Sequence, residues 1–192
     1  MRSKARNTIS VFAIIVLSIL IGLAATLVWD MIDRGNHPRD YSDLVSKYSE
    51  EYNVPDYIIY AVIKVESDFD PDARSSADAR GLMQMTPDTF KWLTSDAHLN
   101  EDLLSVTLYD PEVNIRYGTY YLSYLYRKFD YNWDTAFAAY NAGPTRVSQW
   151  LEDSEYSDGE GNLTKIPIKQ TREYVSKVNS EIEQYKKIYT EK

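Results

Sequence analysis

Cysteine is absent from the 192 residues. Its absence excludes a disulfide scaffold, a thiolate zinc site and a cysteine nucleophile. Histidine is nearly absent too. His37 and His98 are the only two, so a His-rich metal site is excluded and a Ser-His-Asp triad has just two candidate bases. Excess positive charge is also missing: the formal net charge is −8, which leaves no basic footprint for nucleic acid. No alternating apolar/polar run long enough for a strand stands out, and no internal repeat is present. The residues point to no cofactor and no metal. What remains is ordinary globular composition, 44% hydrophobic and 26% charged, which speaks against wholesale disorder. The length fits one principal domain.

Charge is unevenly spread. Arg2, Lys4 and Arg6 are the only charged residues before Asp30, so the first 29 residues are positive and the remainder carries −11. Between them runs ISVFAIIVLSILIGLAATLVW, residues 9–29, with no charged residue. At about 1.5 Å per residue this stretch spans roughly 32 Å as a helix, enough to cross a hydrocarbon core of about 30 Å. Trp29 stands where an interfacial aromatic belongs. The flanking charges predict residues 1–8 in the cytoplasm, a single anchor over 9–29, a short tether over 30–40, and residues 41–192 as a domain on the outer face. A cleaved signal peptide is the competing reading, since Gly22-Leu23-Ala24 has the small-x-small form of a cleavage site. A buried helix of a soluble protein is the third.

Beyond the tether the periodicity is helical, and it predicts an all-α domain of about seven helices. Expected helices cover Tyr41–Tyr52, Tyr57 to about Ser67 with Asp56 as cap, a segment opened by Pro87, Pro111 to about Phe129 capped by Asp110, a short helix capped by Asp134 and stopped by Gly143-Pro144, a further turn or two through Trp150, and a last helix capped by Thr171. Residues 68–79 and 152–163 read as loops.

Glu66 is the residue whose position carries chemistry. It follows Ile63 by three, Val62 by four and Ile59 by seven, so its carboxyl extends the apolar stripe of its own helix. Desolvation there favours the protonated form, and the negative end of the helix dipole acts in the same direction. Both raise the proton affinity, as a general acid requires.

The text around it is specific. Glu66-Ser67-x-Phe69-Asp70-Pro71 is followed by Ser75, nine after the acid, and by Gly81-Leu82-Met83-Gln84, whose Gln lies eighteen after it. Further on stand Asn114-Ile115-x-x-Gly118-x-x-Tyr121-Leu122, Ala138-Ala139-Tyr140-Asn141-Ala142-Gly143-Pro144 and Thr171-Arg172-x-Tyr174-Val175. In this order the blocks resemble the soluble lytic transglycosylase (SLT) domain family, whose fold is related to goose-type lysozyme, and they cover about residues 41–180. Two positions depart from the family pattern. Asp78 stands where a Gly is usual, a site that Asp tolerates in left-handed backbone, and Gln170 stands where a Glu is frequent.

The resemblance implies cleavage of the β-1,4 bond between N-acetylmuramic acid and N-acetylglucosamine in peptidoglycan. Glu66 would protonate the leaving oxygen and then deprotonate the muramic C6 hydroxyl, which closes onto C1 as a 1,6-anhydro ring without consuming water. Ser75 would hold the N-acetyl group, and Gln84, Tyr140 and Asn141 would line the cleft. Peptidoglycan strands are the implied partner, with the membrane reached through residues 9–29. Wall-remodelling or envelope-spanning machinery is a further partner such a domain could serve. Met83 reads as core filler and Arg172 as one half of a structural ion pair. Two alternatives stay open. A hydrolytic muramidase would need a second carboxylate at about 5–9.5 Å, for which Asp68, Asp70, Asp72 and Asp78 are candidates. An inactive peptidoglycan-binding protein would be expected to have lost the acid.

Overall fold

The computed structural model describes residues 2–95, 99 and 101–190, with side chains from Ile15 onward; His98 lies outside the described residues. Eight α-helices follow in order: α1 (Arg2–Asn36), α2 (Ser42–Tyr52), α3 (Asp56–Ser67), α4 (Pro87–Leu93), α5 (Pro111–Lys128), α6 (Trp133–Ala142), α7 (Pro144–Glu152) and α8 (Lys169–Tyr189). A 3₁₀ turn, Ser105–Tyr109, precedes α5. Among the described residues there are no strands, and only isolated bridges at Arg74–Arg80, Arg80–Met85 and Ser157–Leu163. The all-α expectation is met, and α2 to α8 are the seven helices of the domain.

The core is built around α3 and α6. Six consecutive residues of α3, Ile58 to Ile63, are buried, as are five of α6, Thr135 to Ala139. A stretch buried on every side must be apolar nearly all round, and within these two only Thr135 and the Tyr60 hydroxyl are polar. α3 packs on α8, while α6 touches α5, α7 and α8. Ala136, Ala138 and Ala139, all fully buried, let α6 lie close to its neighbours.

Several helix starts differ from the sequence reading. Pro55 occupies the cap position of α3, and Asp56 is its first helical residue. The Asp56 carboxylate accepts from the Tyr57 N–H and from Arg39, both at 2.7 Å, so it still serves the helix N-terminus. Asn132 caps α6 by accepting from the Thr135 N–H at 3.0 Å, whereas Asp134 accepts from Asn179 on α8. α8 begins before Thr171, which is buried inside it. Asp110 and Pro111 open α5 as expected, the carboxylate accepting from the N–H groups of Glu112 and Val113.

The expected tether is different in kind. Residues 30–36 continue α1 rather than forming a loop. The chain after it is fastened to the domain: the Tyr189 hydroxyl donates to the His37 carbonyl (2.7 Å) and the Tyr185 hydroxyl to that of Pro38 (2.9 Å). From Ile15 to Asn36, α1 is long and apolar enough to cross a membrane; its apolar run is exposed, and it meets α8 only near its C-terminal end, where Arg34 lies over Tyr189.

Candidate active site

Glu66 stands in the last turn of α3. Asp68 and Phe69 follow in left-handed backbone (φ 52° and 66°), so the chain turns away abruptly and leaves the helix end uncovered. Phe69 folds back into the core near Tyr60, and Ser67 donates to the Leu82 carbonyl at 2.8 Å. The acid is thereby tied to the segment Gly81–Gln84.

That segment is a tight turn closed by paired backbone bonds between Arg80 and Met85, 3.0 Å each. Asn114 of α5 fixes it from below. Its side chain is fully buried, accepts from the Met83 N–H (2.7 Å), and donates to the carbonyls of Arg80 (2.8 Å) and Leu108 (2.7 Å). Gly81 is required here: it has φ +72°, and a Cβ would lie 2.3 Å from both Asn114 Nδ2 and the Leu108 carbonyl. Gly118 leaves room on α5 for Met83, whose sulfur a Cβ would meet at 2.4 Å. Met83 is fully buried, the core filler its residue type suggested.

Tyr140, on α6, donates to the Met83 carbonyl at 2.7 Å and lies within electrostatic reach of Glu66. Asn141 beside it accepts from the Thr171 hydroxyl at 2.9 Å, which joins α6 to α8. One turn further along α8, Tyr174 is buried with its hydroxyl close to Glu66; no hydrogen bond is closed, but the phenol favours the charged carboxylate. Burial is the stronger influence, and it lifts Glu66 to about 7. Tyr140 and Tyr174 are pushed well above the usual phenol value, first by burial and then by the Glu66 charge, so both act as neutral donors. Beside Tyr140, whose ring is 5.4 Å from that of Tyr121, an aromatic recess of about 270 Å³ opens between Trp92, Tyr121, Tyr124 and Pro144.

Gln84 is in left-handed backbone and donates through Nε2 to the carbonyls of Ala73 (3.1 Å) and Gly81 (3.0 Å). Ser75 is exposed, and its hydroxyl oxygen accepts from the N–H groups of Ala77 (3.3 Å) and Ala79 (3.1 Å), so it braces its own turn. Thus Glu66 and Tyr140 come within electrostatic reach of each other, Asn141 and Gln84 are tied into the surrounding frame, and Ser75 is held by the loop rather than by Glu66. Asp78 takes the left-handed conformation anticipated for it (φ 60°) and pairs with Arg80 (2.8 Å) and Arg74 (2.6 Å). Gln170 is exposed at the start of α8. Arg172 is structural, yet through the Ile166 carbonyl (2.6 Å) instead of the expected ion pair.

Three of the four acids of the following loop are engaged elsewhere, and the fourth, Asp72, is exposed. Asp68 pairs with Lys64, Asp70 accepts from the Asp72 N–H, and Asp78 holds its two arginines. Among the described residues no second carboxylate contributes to the surroundings of Glu66. Residue-level reasoning missed Tyr174, Thr171, Ser67 and Asn114 as parts of the site. From their types alone they read as core, cap or turn, and only the motif blocks flagged them.

Fold and site therefore define a helical domain organised around one insulated carboxylic acid, with tyrosines as its neighbours. The Transglycosylase SLT domain matches residues 43–162, and the chain belongs to that family. It is 36% identical over 163 residues to the "Soluble lytic murein transglycosylase" of Escherichia coli (strain K12), covering 84% of this chain and 25% of that protein. To the "Membrane-bound lytic murein transglycosylase C" of Pectobacterium atrosepticum it is 30% identical over 195 residues, covering 89% and 53%. The chain thus spans a quarter of the soluble relative and about half of the membrane-bound one. Among solved structures it resembles the 70 kDa soluble lytic transglycosylase of Escherichia coli, with TM-score 0.74 and 33% identity over 82% of this chain and 26% of that one. It also resembles an inactive Glu-to-Gln mutant of lytic transglycosylase Slt from Pseudomonas aeruginosa, with TM-score 0.69 and 35% identity over 79% and 24%.

Proposed function

We propose that this chain is a membrane-anchored peptidoglycan lytic transglycosylase that cleaves the N-acetylmuramic acid–β-1,4–N-acetylglucosamine bond and leaves 1,6-anhydromuramic ends. The observation that carries the reading is Glu66, raised to about 7 by burial and without a carboxylate partner. A value near neutrality keeps both the acid and the carboxylate form accessible, the condition under which one group serves as acid and then as base. A two-carboxylate hydrolase would place a second acid beside the bond; Asp68, Asp70 and Asp78 are committed to other partners, and Asp72 is exposed and adds nothing to the surroundings of Glu66. A binding-only protein has no need of an insulated acid.

Glu66 protonates the glycosidic oxygen. As carboxylate it then accepts the C6 hydroxyl proton while that oxygen attacks C1, an intramolecular closure favoured over attack by water in an enclosed cleft. The Tyr174 hydroxyl stabilises the transient carboxylate. Tyr140 and Asn141 line the cleft, Gln84 shapes it, and the Ser75 hydroxyl proton is left for the acetamido group. The aromatic recess at Trp92, Tyr121 and Tyr124 accepts the next sugar face. The positive N-terminus and apolar α1 support a cytoplasmic start with the domain on the wall side, and the membrane-bound relative supports anchoring.

The test is mass analysis of muropeptides released from purified sacculi. Products one water lighter than hydrolytic ones, and resistant to borohydride at the muramic end, are expected. Reducible muramic ends as the major product would replace the transglycosylase by a muramidase. Tight binding without release would leave the binding-only reading.

A further inference from the structure

We infer that the anchor and the domain form one stiff body, so that the cleft works at a set height and takes the glycan strands of the membrane-facing layer of the wall. This rests on the anchored enzyme read in the preceding section. The observation is the joint at residues 34–39. His37 presents Nδ1 to the Asp33 carbonyl (2.9 Å) and Nε2 to Glu181 of α8 (3.2 Å), with its ring edge-on to Tyr185. Tyr185 and Tyr189 hold the carbonyls of Pro38 and His37. Arg39 pairs with Asp56 at the start of α3 and lies 5.1 Å from the ring centres of both Tyr60 and Tyr189, and Arg34 covers Tyr189 at 5.2 Å. Backbone, charge and ring contacts with α3 and α8 thus meet at four residues, Arg34, His37, Pro38 and Arg39, where a flexible tether would make none.

Two lengths set the height. From Trp29, the end of the apolar run, to Asn36 the helix rises about 10 Å. α8 then runs antiparallel to α3: Tyr185 stacks on Tyr60 near the joint, and Tyr174 reaches Glu66 at the far end. The 15 residues from Tyr189 to Tyr174 rise about 22 Å. With up to about 10 Å more at the joint and again between α8 and α3, Glu66 lies within about 55 Å of the hydrocarbon edge however α8 is inclined. Glycan deeper in the wall is beyond its reach.

The chain lacks cysteine, so a single dye can be placed at Ser176→Cys, an exposed position near the active-site end of α8. Energy transfer from this dye to acceptor lipids is measured on the full chain in vesicles. It is compared with a variant carrying 40 Gly/Ser residues between Asn36 and His37, a segment with a mean span of about 35 Å. The inference expects at least a twofold loss of transfer in that variant and a smaller loss in the Tyr185→Phe/Tyr189→Phe pair. It also expects at least threefold greater release from sacculi by the vesicle-bound inserted variant, with equal rates on short soluble strands. Equal transfer in native and inserted chains, or equal release from sacculi, would overturn it. Failure of both chains to cut soluble strands would instead count against the enzymatic reading, and the transfer measurement would still decide the height.

Discussion

Asn114 accepts the backbone N–H of Met83 at 2.7 Å, across 31 positions of sequence. Through Met83 the same bond reaches Tyr140, whose hydroxyl takes the carbonyl of that residue. A buried amide on α5 thus sets the floor on which an active-site tyrosine of α6 is positioned. Replacing it by Ala leaves the Met83 N–H and the Leu108 carbonyl without these partners, each costing about 1–3 kcal/mol, while the Arg80 carbonyl keeps its bond from the Met85 N–H. Asn114→Ala is expected to lose about 3 kcal/mol or more, or roughly 6–12 °C in Tm for a chain of this size. Thermal melting of the purified variant checks this; a change under 2 °C would contradict the role given to Asn114.

Glu66→Gln keeps shape and volume and removes the titrating proton. Activity is expected to fall at least about 10²-fold and as far as 10⁴-fold or beyond, because one group performs both proton transfers. Asp68→Asn and Asp70→Asn should keep most of theirs. Muropeptide release rates for the three variants, with circular dichroism to confirm folding, are the measurement.

The same substitution separates catalysis from stability. Glu66 binds its proton up to about pH 7 when folded, against an ordinary value of 4.5. Between these values the folded state holds more proton than the unfolded one, so stability falls as pH rises across that window. The loss is on the order of 3 kcal/mol. Wild type and Glu66→Gln should melt together near pH 4, and the variant should be the more stable at pH 8. The alkaline limb of kcat/KM should fall near pH 7, where the acid is lost.

Thr171→Val removes the hydroxyl that Asn141 accepts and preserves the shape of the buried side chain. A stability cost of about 1 kcal/mol is expected, together with a larger fractional loss of kcat than of overall fold signal. Unchanged kcat would show that Asn141 needs no second support.

Much of this architecture is written in local pattern. The 3.6-residue stripe of α3, the Asp110-Pro111 start of α5 and the Gly143-Pro144 break between α6 and α7 could be read residue by residue, and Glu66 followed from its place on the stripe. What escaped has a common cause. Tyr174 and Asn114 act through partners 108 and 31 positions away, and nothing in their own neighbourhood distinguishes them from core. The helix starts at α6 and α8 were misplaced because Asp134 and Thr171, good caps by type, serve contacts between helices instead. The tether was misread because Gly35, Pro38 and mixed charge look like a loop, while the contacts that order them come from the far end of the chain.

The insulation of Glu66 has a consequence for how the protein responds to its ionic surroundings. Among the described carboxyls with a resolved shift, Asp78, Glu101, Glu112 and Asp158 are drawn below their ordinary range by neighbouring donors, and Glu66 alone is raised. Mobile ions screen exposed charges over about 8 Å at physiological strength, and they act less on a carboxyl that is largely shielded by the protein, as Glu66 is. Added salt therefore weakens the outer ion pairs and any repulsion between this acidic domain and anionic wall polymers, and acts less on the proton of Glu66. Affinity for the wall and the chemistry on the bond are in this way set by separate parts of one molecule's charge.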